Sequence, residues 1–163
     1  VRLEPLLRRV DRLAGGRYRD AQVPGAASPG AAAPLWTVFW LLVVCTVLGG
    51  ITVATVGVLT LQGAPPPLLV WLRVGVLFAI SVSLFYFLWR ASIGWYWAFQ
   101  RLLLFSRVFP FVAIALALIP GAFPWWVVGE QIAFAAVLII IQFVMISAPM
   151  KRAFPKPQRA ASA

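Results

Sequence analysis

The sequence predicts an all-α integral membrane fold, a four-helix transmembrane bundle of two antiparallel hairpins preceded by an amphipathic interfacial helix. Three observations predict it: four long apolar runs nearly free of charge, Pro/Gly-rich turns between them, and basic residues confined to alternate connections. The first run is the plainest. Leu35 to Leu61 holds 27 residues and no charge. At about 1.5 Å of rise per residue, a helix of that length exceeds the roughly 30 Å hydrocarbon core of a bilayer. The apolar region of a secretory signal peptide is much shorter.

The composition agrees. The chain of 163 residues is 63% apolar and 11% charged, against about 45–50% and 25% in soluble domains; its mean hydropathy is +0.94. Fourteen Lys and Arg stand against four Asp and Glu, a net charge of +10. On a helical membrane protein such a basic rim meets anionic lipid headgroups first, so no nucleic acid partner is expected. Histidine is absent and Cys45 is the one cysteine. No disulfide can close within the chain, and neither a cysteine/histidine zinc site nor a histidine-ligated haem can be assembled. No cofactor or metal is expected, and Cys45, inside the first span, reads as small apolar filler. Arginine dominates the basic residues and Ala, Gly, Pro and Val are abundant, a composition of GC-rich bacterial genomes.

In chain order, residues 1–20 place Leu3, Leu6, Leu7, Val10 and Leu13 at helical spacing, with Arg2, Arg8, Arg9 and Arg12 on other faces. Pro5 suits a first turn and Gly15-Gly16 a stop. A cytoplasmic basic amphipathic helix is therefore predicted, lying in the headgroup layer, packing on the protein's own cytoplasmic end, or docking to a partner subunit. Residues 21–34, with three prolines, two glycines and no charge, read as a linker with no core to build. The membrane domain covers 35–148, with spans over 35–61, 68–89, 97–119 and 125–148. The turns QGAPPP and PGAFP cannot continue a helix, and Pro110 predicts a bend in the third span. The tail, 149–163, is basic and proline-broken, and disorder is expected beyond its first residues.

Thr46, Gly50 and Ala54 recur every fourth residue in the first span, with Gly57 extending that face. Gly75, Ala79 and Ser83 repeat the spacing in the second. Small residues at this interval let helix backbones approach closely, so the first two spans are expected to pack through them.

Orientation follows from the basic residues. Six lie in the N-terminal segment, Arg90 and Arg101 flank the middle connection, and four lie in the tail, while the other two turns have none. The positive-inside rule then places both termini and the middle loop in the cytoplasm, with the protein in the cell inner (plasma) membrane.

Few polar groups are left for chemistry. Three of the four carboxylates, Glu4, Asp11 and Asp20, sit among N-terminal arginines, where solvated pairing is the ordinary role. No phosphate loop, paired-aspartate motif or nucleophile elbow occurs, so no enzyme is expected. Arg73 and Glu130 each lie five residues past the start of a span running in the same direction. They therefore reach a similar depth, about 7–8 Å in. They can snorkel separately, form a structural ion pair, or serve transport. Arg8, Arg9, Arg12, Arg90, Arg101, Arg107, Lys151 and Arg152 are the expected contacts for inner-leaflet anionic lipid or for a partner. Gln131, Gln142, Ser81 and Ser83 read as interhelical hydrogen-bonders.

Two functions fit. The first is a non-catalytic membrane protein acting by association, as a subunit of a larger membrane complex or by self-association. The second is a small oligomeric transporter or channel using Glu130 and Arg73, against which stands the shortage of polar residues in mid-membrane.

Overall fold

The computed structural model of the chain describes residues 16–18, 20–121 and 123–157. Among these it is all-helical, with four helices long and apolar enough to cross a membrane: α1 (Ala32–Leu61), α2 (Leu68–Ser92), α3 (Tyr96–Ala117) and α4 (Trp125–Met145). A short α5 (Ala148–Ala153) follows, and 3-10 turns at Gly16–Tyr18 and Gly25–Ala27 precede α1. The amphipathic helix expected within residues 1–20, with Arg8, Arg9 and Arg12, lies outside the described residues.

The helices close a ring in which α1 packs against α2 and α4, and α3 against α2 and α4. Each seam follows a repeat of alternating three- and four-residue steps. On α1 the buried positions are Leu35, Val38, Leu42, Cys45, Gly49, Thr52 and Val56, and α4 buries Val127, Gln131, Phe134, Leu138, Ile141 and Met145 in the same rhythm. A strict 3.5-residue repeat keeps one seam facing its neighbours, as in left-handed coiled coils. The buried residues form two clusters. The larger joins the first half of α1, the second halves of α2 and α4, the start of α3, and α5. The smaller joins Val56, Val70, Val74 and Val127 at the opposite end.

The small-residue faces are corrected by this packing. The close approach of α1 to α2 is at Gly49, where an added Cβ would lie 3.5 Å from the Phe78 ring. Thr46, Gly50 and Gly57 are half-exposed beside that seam, and Ala54 is exposed. On α2, Gly75, Ala79 and Ser83 all face outward, and nothing lies within 4 Å of a Cβ built on Gly75. Leu, Val and Cys at coiled-coil spacing make the contact instead, because they fill the space between helix axes that small side chains would leave empty.

The 21–34 segment also departs from expectation. It is docked across the end of the ring where α2 passes into α3. Val23 N–H donates to Gly94 O at 2.9 Å, and Tyr96 N–H donates to Ala21 O at 3.2 Å. Two glycines permit this. Gly25 (φ +52°) and Gly94 (φ +103°) adopt left-handed backbone, and a Cβ on Gly25 would stand 2.8 Å from Gly94 Cα. One on Gly94 would collide with the Val23 carbonyl oxygen. Both the conformation and the contact exclude a side chain.

Helix boundaries shift modestly. α1 begins at Ala32, with Pro34 tolerated in its first turn. α4 stops at Met145, and Pro149 occupies the first turn of α5, where its missing N–H has no helical partner to serve. The start of the tail is anchored: Met150, Ala153 and Phe154 are buried, and the Phe154 ring stacks on Phe99 with centroids 4.3 Å apart. The remainder, 158–163, lies outside the described residues.

Candidate functional site

The ring places α2 and α4 diagonally, and Arg73 reaches across between them. Its Nη1 donates to Glu130 Oε2 at 3.3 Å, and its Nη2 to the Val127 carbonyl at 3.4 Å. The two side chains are only 6% and 9% exposed. The guanidinium carbon also stands 5.3 Å from the centre of the Phe123 ring. Equal depth on two helices thus becomes contact. The contact is single and longer than the about 2.7–2.9 Å of a tight charge-assisted bond. Among the described residues Arg73 Nε has no hydrogen-bond partner.

Beside the pair, a cavity of about 290 Å³ runs between α2, α3 and α4, lined by Arg73, Gln131, Phe109 and Phe134 among others. Gln131 is 1% exposed. Its Nε2 donates to the Ala113 carbonyl on α3. A carbonyl only accepts, so the amide orientation is set and Oε1 is left without a partner.

Of the other polar groups on the helices, Thr46 Oγ1 and Trp97 Nε1 are buried without a partner among the described residues, while Ser106, Gln142, Ser81 and Ser83 are bonded. Ser106 Oγ on α3 lies 2.9 Å from Gln142 Oε1 on α4. Ser81 donates to Leu77 O at 2.9 Å and Ser83 to Ile80 O at 2.8 Å. The two serines expected to bond between helices therefore serve their own helix, a common outcome for hydroxyls three or four residues past a carbonyl. Cys45 is buried in the α1 seam.

At the end that carries α5 and the α2–α3 turn, Arg90 sits among aromatic rings. Its guanidinium lies 5.0 Å from Trp89, and 5.7 Å from both Tyr86 and Trp95. Its Nε donates to Tyr86 Oη at 3.2 Å. Cation–π contacts of this kind hold the group flat on apolar surface while leaving N–H donors at the rim. Arg101 is half-buried, and Lys151 and Arg152 are exposed on α5.

Arg107 is set apart from these. It stands halfway along α3, exposed, and one turn from Pro110. The sequence places it with the expected inner-leaflet contacts, but a helix apolar on every side carries no sign of which way such a residue faces. The docking of 21–34 was missed as well; its only signal was glycine at 25 and 94, which a turn explains equally well.

Among the described residues no three His, Cys, Asp or Glu are grouped to hold a metal ion. No family model matches the chain, no curated protein does, and no solved structure does.

Proposed function

We propose that this chain is a non-catalytic multi-pass protein of a cell membrane that works by association, as an accessory or assembly subunit of a larger membrane complex or as a homo-oligomer. In this reading the four helices cross the bilayer as two antiparallel hairpins, with both termini and the α2–α3 turn in the cytoplasm. Arg90, Arg101, Lys151 and Arg152 then stand at the anionic headgroups, as the positive-inside rule requires.

The observation that carries the reading is the outward face of α2. Gly75, Ala79 and Ser83 form a small-residue strip with no neighbour in the bundle. In lipid, helices associate through close van der Waals packing, which such strips favour. A bundle that had finished its packing would have no use for one on its outer surface. Catalysis finds little support in the residue types: the chain has no histidine, and among the described residues the interior has one carboxylate, Glu130, bound to Arg73.

The test is the size of the particle extracted at native expression in a mild detergent. Wild type should run well above one chain plus its detergent belt. Gly75→Leu/Ala79→Leu, which fills an exposed strip, should dissociate it while leaving the chain's own thermal midpoint unchanged. A wild-type particle of one chain overturns the reading.

The rival, a small oligomeric transporter or channel, is favoured by one observation: Arg73, paired with Glu130, lines a cavity in which Gln131 has an unpaired acceptor among the described residues. Against it stands the rest of the cavity wall, which is aliphatic and aromatic.

A further inference from the structure

We propose that the groove between α3 and α4 at Arg107 binds one anionic phospholipid, with its phosphate on the guanidinium and an acyl chain along the apolar floor. This rests on the reading that the long helices cross a bilayer with the α2–α3 turn in the cytoplasm, and it adds a specific ligand to that arrangement.

The depth of Arg107 follows from its neighbours. The contacts Ser106–Gln142 and Ala113–Gln131 run in opposite order along the two helices, so α3 and α4 lie antiparallel. Ser106 is therefore level with a residue about 4.5 Å of helix from the end of α4 at Met145. Arg101 lies about 9 Å back along α3, and α5 follows α4 with Lys151 and Arg152 exposed. An extended arginine spans most of that drop, so the Arg107 guanidinium reaches the phosphate layer of the nearer leaflet by snorkelling. It faces outward, and among the described residues no hydrogen bond or ion pair holds it.

The groove beside it, of about 310 Å³, changes character along its length. Its polar lining, Ser106, Arg107 and Gln142, gathers at the end nearer α5, with Phe143 as a wall. Farther from that end the floor is Phe111 and Ile114 of α3 and Ile139 of α4, all exposed and with Phe111 at 72%. A surface that passes from cationic to apolar toward the membrane centre has the polarity of one phospholipid. A free phosphate would leave the apolar half uncovered. The guanidinium takes a phosphodiester through two parallel N–H donors, and basic pockets between spans on the cytoplasmic side gather anionic headgroups. The same end carries Arg90, Arg101, Lys151 and Arg152 against Asp20, a positive field that favours anionic over zwitterionic lipid.

The test titrates the full chain, stripped of lipid in detergent, with dioleoylphosphatidylglycerol and reads the complexes by native mass spectrometry. Wild type should take up one lipid per chain ahead of any second. Arg107→Leu should weaken that first binding about tenfold, equivalent to about 1.4 kcal/mol, with the thermal midpoint of the lipid-free chain unchanged. Phe111→Ala, which keeps the arginine and removes part of the floor, should weaken it as well. Dioleoylglycerol, which lacks the phosphate, should bind wild type no better than phosphatidylglycerol binds Arg107→Leu. Equal affinity in Arg107→Leu, or displacement of the lipid by inorganic phosphate, overturns the proposal. In the native membrane, benzoylphenylalanine in place of Phe111 should label lipid, and a protein adduct there overturns the proposal too. Orientation is read separately with Ile93→Cys in a Cys45→Ala background. Labelling by an impermeant thiol reagent from outside intact cells overturns the orientation, and with it the inner leaflet as the lipid's source, whatever the binding shows.

Discussion

Arg73 and Glu130 share one desolvated setting, so their energetics belong to the pair. Removing either partner strands a charge at a site under one-tenth exposed. Breaking such a pair typically costs about 3–5 kcal/mol, whereas replacing both partners by apolar residues of similar volume costs far less. Arg73→Leu and Glu130→Leu should each lower the thermal midpoint in detergent, and the double variant should recover most of the loss. Simple addition of the two effects would contradict the pairing. The same pair separates the rival function: Glu130→Gln should leave a transporter folded and without flux in proteoliposomes, but should leave an associating subunit's assembly intact. Equal depth was legible in the sequence because both residues count from a helix start that Pro and a change in composition mark. Contact was not, since no pattern says which helices are diagonal in the ring. The outward setting of Arg107 was hidden for a related reason, because apolar residues surround it on every face of α3.

Among the elements, the four long helices were legible nearly to their ends, since each run exceeds what a soluble core needs and stops at Pro or Gly. Their facing sides were not. A helix that is apolar all round has no weak side to mark its core, so the every-fourth small residues were the one periodicity in view. They lie instead beside the seam on α1 and on the outer surface of α2. The docked 20–31 segment shows how local backbone chemistry can outweigh composition. Proline, glycine and alanine without charge suggest a linker, yet two left-handed glycines and a pair of backbone hydrogen bonds tie it to the α2–α3 turn. Gly94→Ala adds a strained left-handed alanine and a clash with the Val23 carbonyl. Strain of this order costs about 1–3 kcal/mol. The variant should release the segment, seen as rapid proteolysis within residues 20–31 and a lower thermal midpoint. Unchanged protease resistance would show that the segment is not held by this contact.

At the scale of the whole molecule, the interior and the outer surface are built differently. Two apolar clusters fill the ring at its two ends, and Arg73 with Glu130 ties the diagonal helices near one of them. The outside keeps a small-residue strip on α2, which under the proposed association packs against another helix, and an arginine halfway along α3. Photocrosslinking in the intact membrane, at native expression, tests association most directly. Benzoylphenylalanine is placed at Ala79, on the strip, and separately at Val44 of α1, which is 45% exposed with Trp40, Leu41, Val47 and Leu48 at helical spacing. The expected result is a discrete protein adduct at Ala79, either a second copy or a partner, and diffuse lipid labelling at Val44. Lipid labelling alone at both positions would contradict association through α2.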